Sequence, residues 1–307
     1  MKAVICKTYG PPEVLKIQEI AKPTPKPNEV LIKIMATAVN SGDVRIRGLA
    51  VTGFMRIVMR FVLGFSGPRK QILGSVLSGV VEAIGSEVAT FKPGNEVFAS
   101  TGVTLGTYAE YMCLPETSAI AIKPKKASFE EAAAIPFGGT TALYFLQKAG
   151  IASKPKQNVL IYGASGAVGT AAVQIAKYYD AHVTAVCGKD SVKLATSIGA
   201  DSVIVYTKDD FTKNGKRYDI IFDAVGKKQR NECANSLTEE GKYVTVGGLD
   251  VVSVTKKQLT LLSEMYNKGE YKAVIDKIYP LEGIVEAHRY VDQGRKKGNV
   301  VVIVHTA

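Results

Sequence analysis

The chain of 307 residues contains no tryptophan, only three histidines and only four cysteines. Cys6, Cys113, Cys187 and Cys233 are far apart and form no Cys-x-x-Cys spacing. A disulfide-framed module is therefore excluded, and a reducing compartment is expected. The first histidine is His182, and only Cys6 and Cys113 precede it among the cysteines. A catalytic zinc needs three ligands drawn from Cys, His and carboxylates; the leading part of the chain is poor in them, and no metal is expected. No uncharged apolar run approaches the roughly 20 residues that cross a bilayer. The run Met1–Cys6 is too short for a secretory signal core and ends at Lys7 and Tyr9-Gly10-Pro11-Pro12. A cytoplasmic protein without stable membrane insertion is expected.

Hydrophobic residues make up 46% and charged residues 22%, an ordinary globular balance. At roughly 150 residues per domain the length predicts two domains. The net charge of +11 favours anionic partners. Its lysines are scattered and no basic-aromatic motif is present, so nucleic-acid binding is not expected. Residues 1–125 read as strand-rich, with runs such as Val30–Ile34, Gly79–Gly85 and Glu96–Phe98 separated by Gly/Pro turns. Within them, residues 53–65 break the rhythm. Arg56 and Arg60 lie four apart, with Phe54, Ile57, Val58, Phe61 and Val62 on the other side. This predicts an amphipathic helix, packed over the core or the mouth of a site, or alternatively lying on a membrane or partner surface.

From residue 126 the pattern changes to a long helix, Phe129–Ala149, and then to alternating strands and helices. The strands are Asn158–Tyr162, His182–Cys187, Val203–Tyr206, Tyr218–Asp223 and Lys242–Val246; the helices are Ala167–Tyr179 and Ser191–Ile198. Near-continuous apolar strands in such alternation predict a parallel sheet covered on both faces. The expected α/β architecture is a β-rich domain at 1–125, a doubly wound parallel-sheet domain at 126–269, and a segment at 270–307 that returns to the first domain.

Gly163-Ala164-Ser165-Gly166-Ala167-Val168-Gly169 follows the first of these strands and opens a helix. Glycines allow the tight turn and a close backbone approach to a pyrophosphate, which the helix N-terminus then attracts. The spacing is GxxGxxG rather than GxGxxG, and its strand–turn–helix setting is what points to a dinucleotide. A glycine-rich helix start needed only for packing is the plain alternative. An NAD site usually ends its second strand with Asp or Glu. Here that strand ends Cys187-Gly188-Lys189, and Asp190 reads as the N-cap of the next helix. Lys189 can meet a 2′-phosphate, which favours NADPH. The alternative is a solvated Lys189 with Asp190 on the ribose.

With these residues, several in the first domain resemble the zinc-independent quinone oxidoreductase branch of the medium-chain dehydrogenase/reductase superfamily. They include Tyr9–Leu15, Asn40-Ser41-Gly42-Asp43, Leu73–Glu82, Phe91–Val97, Gly106–Glu110, Ala132–Pro136 and Gly298–Val301. The resemblance implies a GroES-like substrate domain, a Rossmann NADPH-binding domain and a cleft between them. Zinc-dependent relatives carry Cys at the position matching Asn40 and His at the one matching Ser75. By the same matching, Ser165, Gly166, Ala167 and Val168 line the pyrophosphate, and Gly188, Lys189 and Tyr206 surround the 2′-phosphate. Val225, Gly226 and Gly247 edge the cofactor cleft, while Thr141 and Asn299 contact the cofactor. Asn40 would donate a hydrogen bond to a substrate oxygen, or be a turn asparagine. Asp43 would brace the loop or pair with Arg45 or Arg47, with a direct proton role as the alternative. Plain alternatives stand for Thr141, an ordinary helix hydroxyl, and for Tyr206, a half-buried strand tyrosine.

The resemblance implies hydride reduction of a quinone or an α,β-unsaturated carbonyl, and allows a homodimer. Similar chains run longer between Gly248 and the helix Lys256–Lys268, a region that usually adds substrate and subunit contacts. This shortening motivates a second reading, a non-catalytic NADPH-binding sensor or scaffold.

Overall fold

β-Branched and aliphatic runs form the strands, and glycine- or proline-rich breaks end them. The computed structural model describes residues 1–50, 53–248, 250 and 252–306. Leu249, in the shortened connection, lies outside them, as does the side chain of Phe54. The strands are β1 (Lys2–Cys6), β2 (Leu15–Glu19), β3 (Glu29–Val39), β4 (Val76–Ile84), β5 (Glu96–Ser100), β6 (Tyr111–Pro115), β7 (Ile120–Ile122), β8 (Asn158–Tyr162), β9 (His182–Cys187), β10 (Ser202–Val205), β11 (Tyr218–Asp223), β12 (Leu237–Thr245), β13 (Ile275–Pro280) and β14 (Asn299–Ile303). The α-helices are α1 (Ser41–Gly48), α2 (Phe54–Leu63), α3 (Phe129–Lys148), α4 (Ala167–Tyr178), α5 (Val192–Ser197), α6 (Arg230–Cys233), α7 (Lys256–Lys268) and α8 (Ile284–Asp292). They form two compact units: Met1–Pro136, Val254–Glu264 and Ile275–Ala307 in one, Phe137–Ser253 and Met265–Val274 in the other.

The first unit holds the antiparallel β1–β2 ribbon and a seven-stranded sheet ordered β13-β14-β3-β4-β5-β7, with β6 also on β3. β3 pairs with β4, β6 and β14 along its length, and its register with β4 shifts between Leu31 and Ile32 and between Ile34 and Ala36. Such bulges bend one long strand so that it can serve several partners. Val300 pairs antiparallel with Val39, so the chain from Ile275 returns to this unit and does not extend the parallel sheet, whereas 270–274, which the sequence pattern groups with it, fall in the other unit. In the first unit Val300, Val302, Ile284 and Val291 complete a core with Val4, Leu15, Val39 and Leu73.

Two stretches that the sequence pattern groups with the second domain, 126–136 and 254–264, fall in the first unit. The reason is local. Ser78 Oγ donates to the Phe129 carbonyl at 2.5 Å, Lys256 Nζ sits 5.0 Å from the Phe91 ring, and Ser263 Oγ donates to the Ile122 carbonyl. α2 also departs from the expectation of a helix packed over a core: Ile57 and Phe61 are exposed, and Val58, Met59 and Leu63 are half-buried.

The second unit is a parallel sheet ordered β10-β9-β8-β11-β12. From β8 the chain winds outward through β9 and β10, then crosses back to β11 and β12. The C-terminal ends of β8 and β11 therefore flank the point where strand order reverses, which is where doubly wound sheets bind ligands. α4 is buried from Ala167 through Ala176, which explains its run of small residues. Two expected boundaries shift: β12 begins at Leu237, and Tyr206 lies just past the end of β10.

Candidate functional site

The turn from β8 to α4 is held by glycine. Gly163 has φ +80°, and a Cβ there would lie 2.1 Å from Val225 Cγ2. At Gly169 a Cβ would lie 2.1 Å from the Gly163 carbonyl oxygen. Gly166 is the extended N-cap residue of α4 and contributes no side-chain cap. The first-turn N–H groups, those of Ala167, Val168 and Gly169, have no intrahelical acceptor by helix geometry. They point with the helix dipole toward the half-buried Ser165-Gly166 corner, a setting that stabilises an anion. Thr170 Oγ1 turns back to the Gly166 carbonyl at 2.9 Å and steadies the corner.

Helix α3 runs against the same corner, since a Cβ at Gly138 would lie 2.3 Å from the Ala167 carbonyl oxygen. Thr141 follows three residues later on that face of α3. Its hydroxyl donates to the Phe137 carbonyl at 2.7 Å, as an ordinary helix hydroxyl does, and keeps its lone pairs for a further donor.

At the end of β9 the structure brings Gly188 and Tyr206 together. The Tyr206 ring and hydroxyl lie 3.6 Å from where a Gly188 Cβ would stand, and Tyr206 is 57% exposed. This replaces the half-buried strand tyrosine of the sequence reading. Lys189 is exposed beside them. The N-cap of α5 is Ser191, so the capping role expected of Asp190 is corrected: a single turn of 3-10 helix over Lys189–Ser191 intervenes. Tyr206 also borders a cavity of about 190 Å³ with Tyr162, Asp209, Asp210, Phe211 and Lys228. Lys228 Nζ lies 5.8 Å from both the Tyr162 and Phe211 rings.

Val225, Gly226 and Gly247 converge at the ends of β11 and β12. A Cβ on Gly226 (φ +78°) would lie 2.7 Å from Gly247 Cα, and one on Gly247 equally close to Gly226 Cα. The residue that shapes this turn is Asp223, which the sequence reading missed. It is fully buried. Its Oδ1 accepts from Val225 N and Gly226 N at 3.0 and 2.9 Å, and its Oδ2 from Lys228 N at 2.7 Å. A carboxylate closing an apolar strand just before Ala-Val-Gly was the available signal.

Asn40, Asp43 and Asn299 belong to the first unit. Asn40 caps α1: its Oδ1 accepts from Gly42 N (2.8 Å) and Asp43 N (3.1 Å), while Asp43 Oδ2 accepts from Asn40 N (3.0 Å). This is a capping box, with Asp in place of Glu. Asn40 Nδ2 donates to Ser75 Oγ at 2.9 Å, and its second amide hydrogen has no further acceptor among the described residues. Asp43 closes the start of α1 through Asn40 N, and among the described residues it pairs with neither Arg45 nor Arg47. Tyr108 OH donates to Asp43 Oδ2 at 3.0 Å, and Arg47 Nη2 instead grips both oxygens of Asp292 at 3.1 and 2.9 Å. Burial pushes the Asp43 carboxyl up to about 7, against the pull of the Asn40, Tyr108 and Gly74 donors. Nearby, burial and the Arg47 charge hold His288 down to about 3. Asn299, buried, stands one residue beyond the Val300–Val39 pair, at the ladder end where Asn40 follows Val39.

The donor set in the first unit does not fit zinc. Asn40 and Ser75 offer an amide and a hydroxyl already bonded to each other, and Asp43 is committed to Tyr108 and Asn40 N. Zinc prefers thiolate, imidazole and free carboxylate. Among the described residues, no group of three or more His, Cys, Asp or Glu is placed to hold a metal ion.

A β-rich unit joined to a doubly wound sheet with a glycine-lined turn at its switch point defines a class, the two-unit oxidoreductases with a nicotinamide dinucleotide cofactor. Residues 167–279 match the family described as zinc-binding dehydrogenase, and residues 26–124 the alcohol dehydrogenase GroES-like domain. The chain is 34% identical over 322 residues to 2-methylene-furan-3-one reductase of Solanum lycopersicum, covering 98% of this chain and 79% of that one. It is 31% identical over 330 residues to quinone oxidoreductase of Pongo abelii, covering 96% and 94%. The solved structure of the quinone oxidoreductase from Coxiella burnetii superposes with a TM-score of 0.86 at 27% identity, covering 99% of each chain. The chain belongs to the quinone oxidoreductase-like branch of the medium-chain dehydrogenase/reductase superfamily. It is an oxidoreductase acting on a small-molecule substrate.

Proposed function

We propose that this chain is an NADPH-dependent reductase of quinones or α,β-unsaturated carbonyls that works without zinc. The observation that carries the cofactor choice is the end of β9. Gly188-Lys189 stands where a carboxylate would hold a ribose 2′-hydroxyl, and the Tyr206 hydroxyl lies over Gly188. The names of the two relatives support the acceptor class, because both denote electrophilic conjugated carbonyl chemistry.

When bound, the cofactor supplies a hydride. The N–H groups of Ala167 and Val168, with Ser165 and Gly166, hold the pyrophosphate. Lys189 and Tyr206 receive the 2′-phosphate, while Gly163, Val225, Gly226 and Gly247 keep the strand ends narrow enough for the dinucleotide to lie across them. Thr141 orients the cofactor from α3, and Asn299 contributes from the end of β14. The second Nδ2 hydrogen of Asn40 donates to the acceptor oxygen as negative charge builds there. Asp43 acts through Asn40 as a positioning residue, and the proton comes from solvent or a tyrosine. A quinone or enone is already electrophilic, so it needs less polarisation than an alcohol or simple ketone would. The cysteines are all free, which supports a reducing, cytoplasmic setting.

The test follows the loss of reduced nicotinamide absorbance with NADPH and NADH against a panel of quinones and short enals. Turnover that prefers NADPH supports the proposal. Tight NADPH binding with no turnover across the panel would assign the chain instead to the sensor or scaffold reading. Equal use of NADH would remove the Lys189 argument.

A further inference from the structure

We propose that α2 and the loop after it dock this protein onto anionic lipid surfaces. No acidic residue occurs between Asp43 and Glu82, a stretch that contains Arg45, Arg47, Arg56, Arg60, Arg69 and Lys70. Of these cations, Arg47 is buried against Asp292. Arg56, Arg60, Arg69 and Lys70 are exposed and make no ion pair among the described residues.

The helix geometry sorts this surface into two stripes. Arg56 and Arg60 lie one turn apart, and Ile57 and Phe61 form the adjoining stripe one residue on. Ile57 is 56% exposed, Phe61 60%, Val62 61% and Phe65 59%. The Phe61 and Phe65 rings meet edge to face, with centroids 4.8 Å apart, so the apolar stripe continues past the helix end. Tyr9 OH donates to the Gly64 carbonyl at 2.8 Å and ties the segment to the unit beneath it, while Arg69 Nη2 donates to the Phe61 carbonyl at 2.9 Å and holds the loop against the helix end. Its outward face is thereby held in place. Next to it, Arg69 and Lys70 rim a cavity of about 480 Å³ floored by Ile5, Ile72, Leu105 and Met112.

Large apolar side chains beside unpaired arginines match the boundary between headgroups and acyl chains, where the apolar groups insert and the cations face phosphate and carboxylate. Nucleic acid would use the charge but leave Ile57, Phe61 and Phe65 in water. No described helix is long and apolar enough to cross a membrane, so the contact is a surface one. The inference is independent of which acceptor the reductase uses.

The test is flotation of the full chain with vesicles of pure phosphatidylcholine and with vesicles carrying about a third phosphatidylserine. The protein is expected to float with the anionic vesicles at low salt and to be released at high salt. Removing two charges, with R56Q/R60Q, should lower partitioning about thirty-fold. I57S/F61S should lower it as well. K213Q/K216Q, which removes the same charge elsewhere, should change it little. Circular dichroism checks that every variant is folded. Absence from anionic vesicles overturns the proposal, as does binding that is unchanged in R56Q/R60Q. A dimer that I57S/F61S dissociates, without vesicle binding, assigns the face to a second copy and overturns it too.

Discussion

Asp43 should make the protein less stable as the pH rises, and Asp43→Asn should remove that dependence. The carboxyl is fully buried and sits at about 7, against an ordinary value of 3.8. A carboxyl raised in the folded state holds its proton more tightly there than in the unfolded chain. Its contribution is therefore fully present below the unfolded value and is lost as pH rises through about 7. The shift is about 3 units, or about 4 kcal/mol in all. Between about pH 5 and about pH 8 the share lost is about 2.5 kcal/mol. His288 runs the other way: held down to about 3, it adds stability as pH rises toward the ordinary histidine range. The raw wild-type slope therefore mixes the two, and the difference between wild type and D43N isolates Asp43. Asparagine keeps an oxygen for Asn40 N and Tyr108 OH. The assay is urea unfolding followed by far-ultraviolet circular dichroism, since the chain has no tryptophan. The stability advantage of wild type over D43N should shrink by about 2.5 kcal/mol from the lower to the higher pH. An advantage that stays constant with pH refutes the raised carboxyl.

Lys189→Ala should raise the KM for NADPH about tenfold or more, the loss of a charge-assisted hydrogen bond, and leave that for NADH nearly unchanged; steady-state kinetics with both cofactors checks it. Gly163→Ala must place a side chain at φ +80° and 2.1 Å from Val225 Cγ2. It should cost at least about 1 kcal/mol in thermal unfolding and weaken cofactor binding. Asp223→Ala leaves three backbone N–H groups without their acceptor. It should destabilise the second unit by about 3–5 kcal/mol, read as an earlier thermal transition, whereas the same change at exposed Asp209 should cost little.

What could be read from the chain was local. The β8 strand, the glycine turn and α4 are contiguous, and an apolar run followed by three glycines at tight spacing has few other solutions. The glycine-held strand–turn–helix at the switch point was therefore legible before any coordinates, and its use for a cofactor is part of the proposed function. The capping box at Asn40 and Asp43 was legible in principle, since an Asn followed three residues later by an acid is a helix-start pattern. The partner of Arg47 was not, because Asp292 is 245 residues away in sequence and only the return of β14 and α8 brings it close. Asp223 was missed for a different reason: its partners are only two to five residues on, but its work is done on N–H groups whose direction depends on the turn it creates. Amphipathicity located α2 but left open which side would pack. Only two of its residues are charged, so apolar side chains remain on the face that meets solvent. The domain limits shifted because helical pattern continues across Pro136, while the early turns of α3 pack by way of Ser78 on the first unit.

The most direct measurement is calorimetric titration of NADPH, and separately of NADH, into the purified full chain. A glycine-lined corner with Lys189 and Tyr206 at the end of β9 predicts one NADPH bound per chain, at least about tenfold tighter than NADH. No heat with either reduced coenzyme, or tighter binding of NADH, would contradict it.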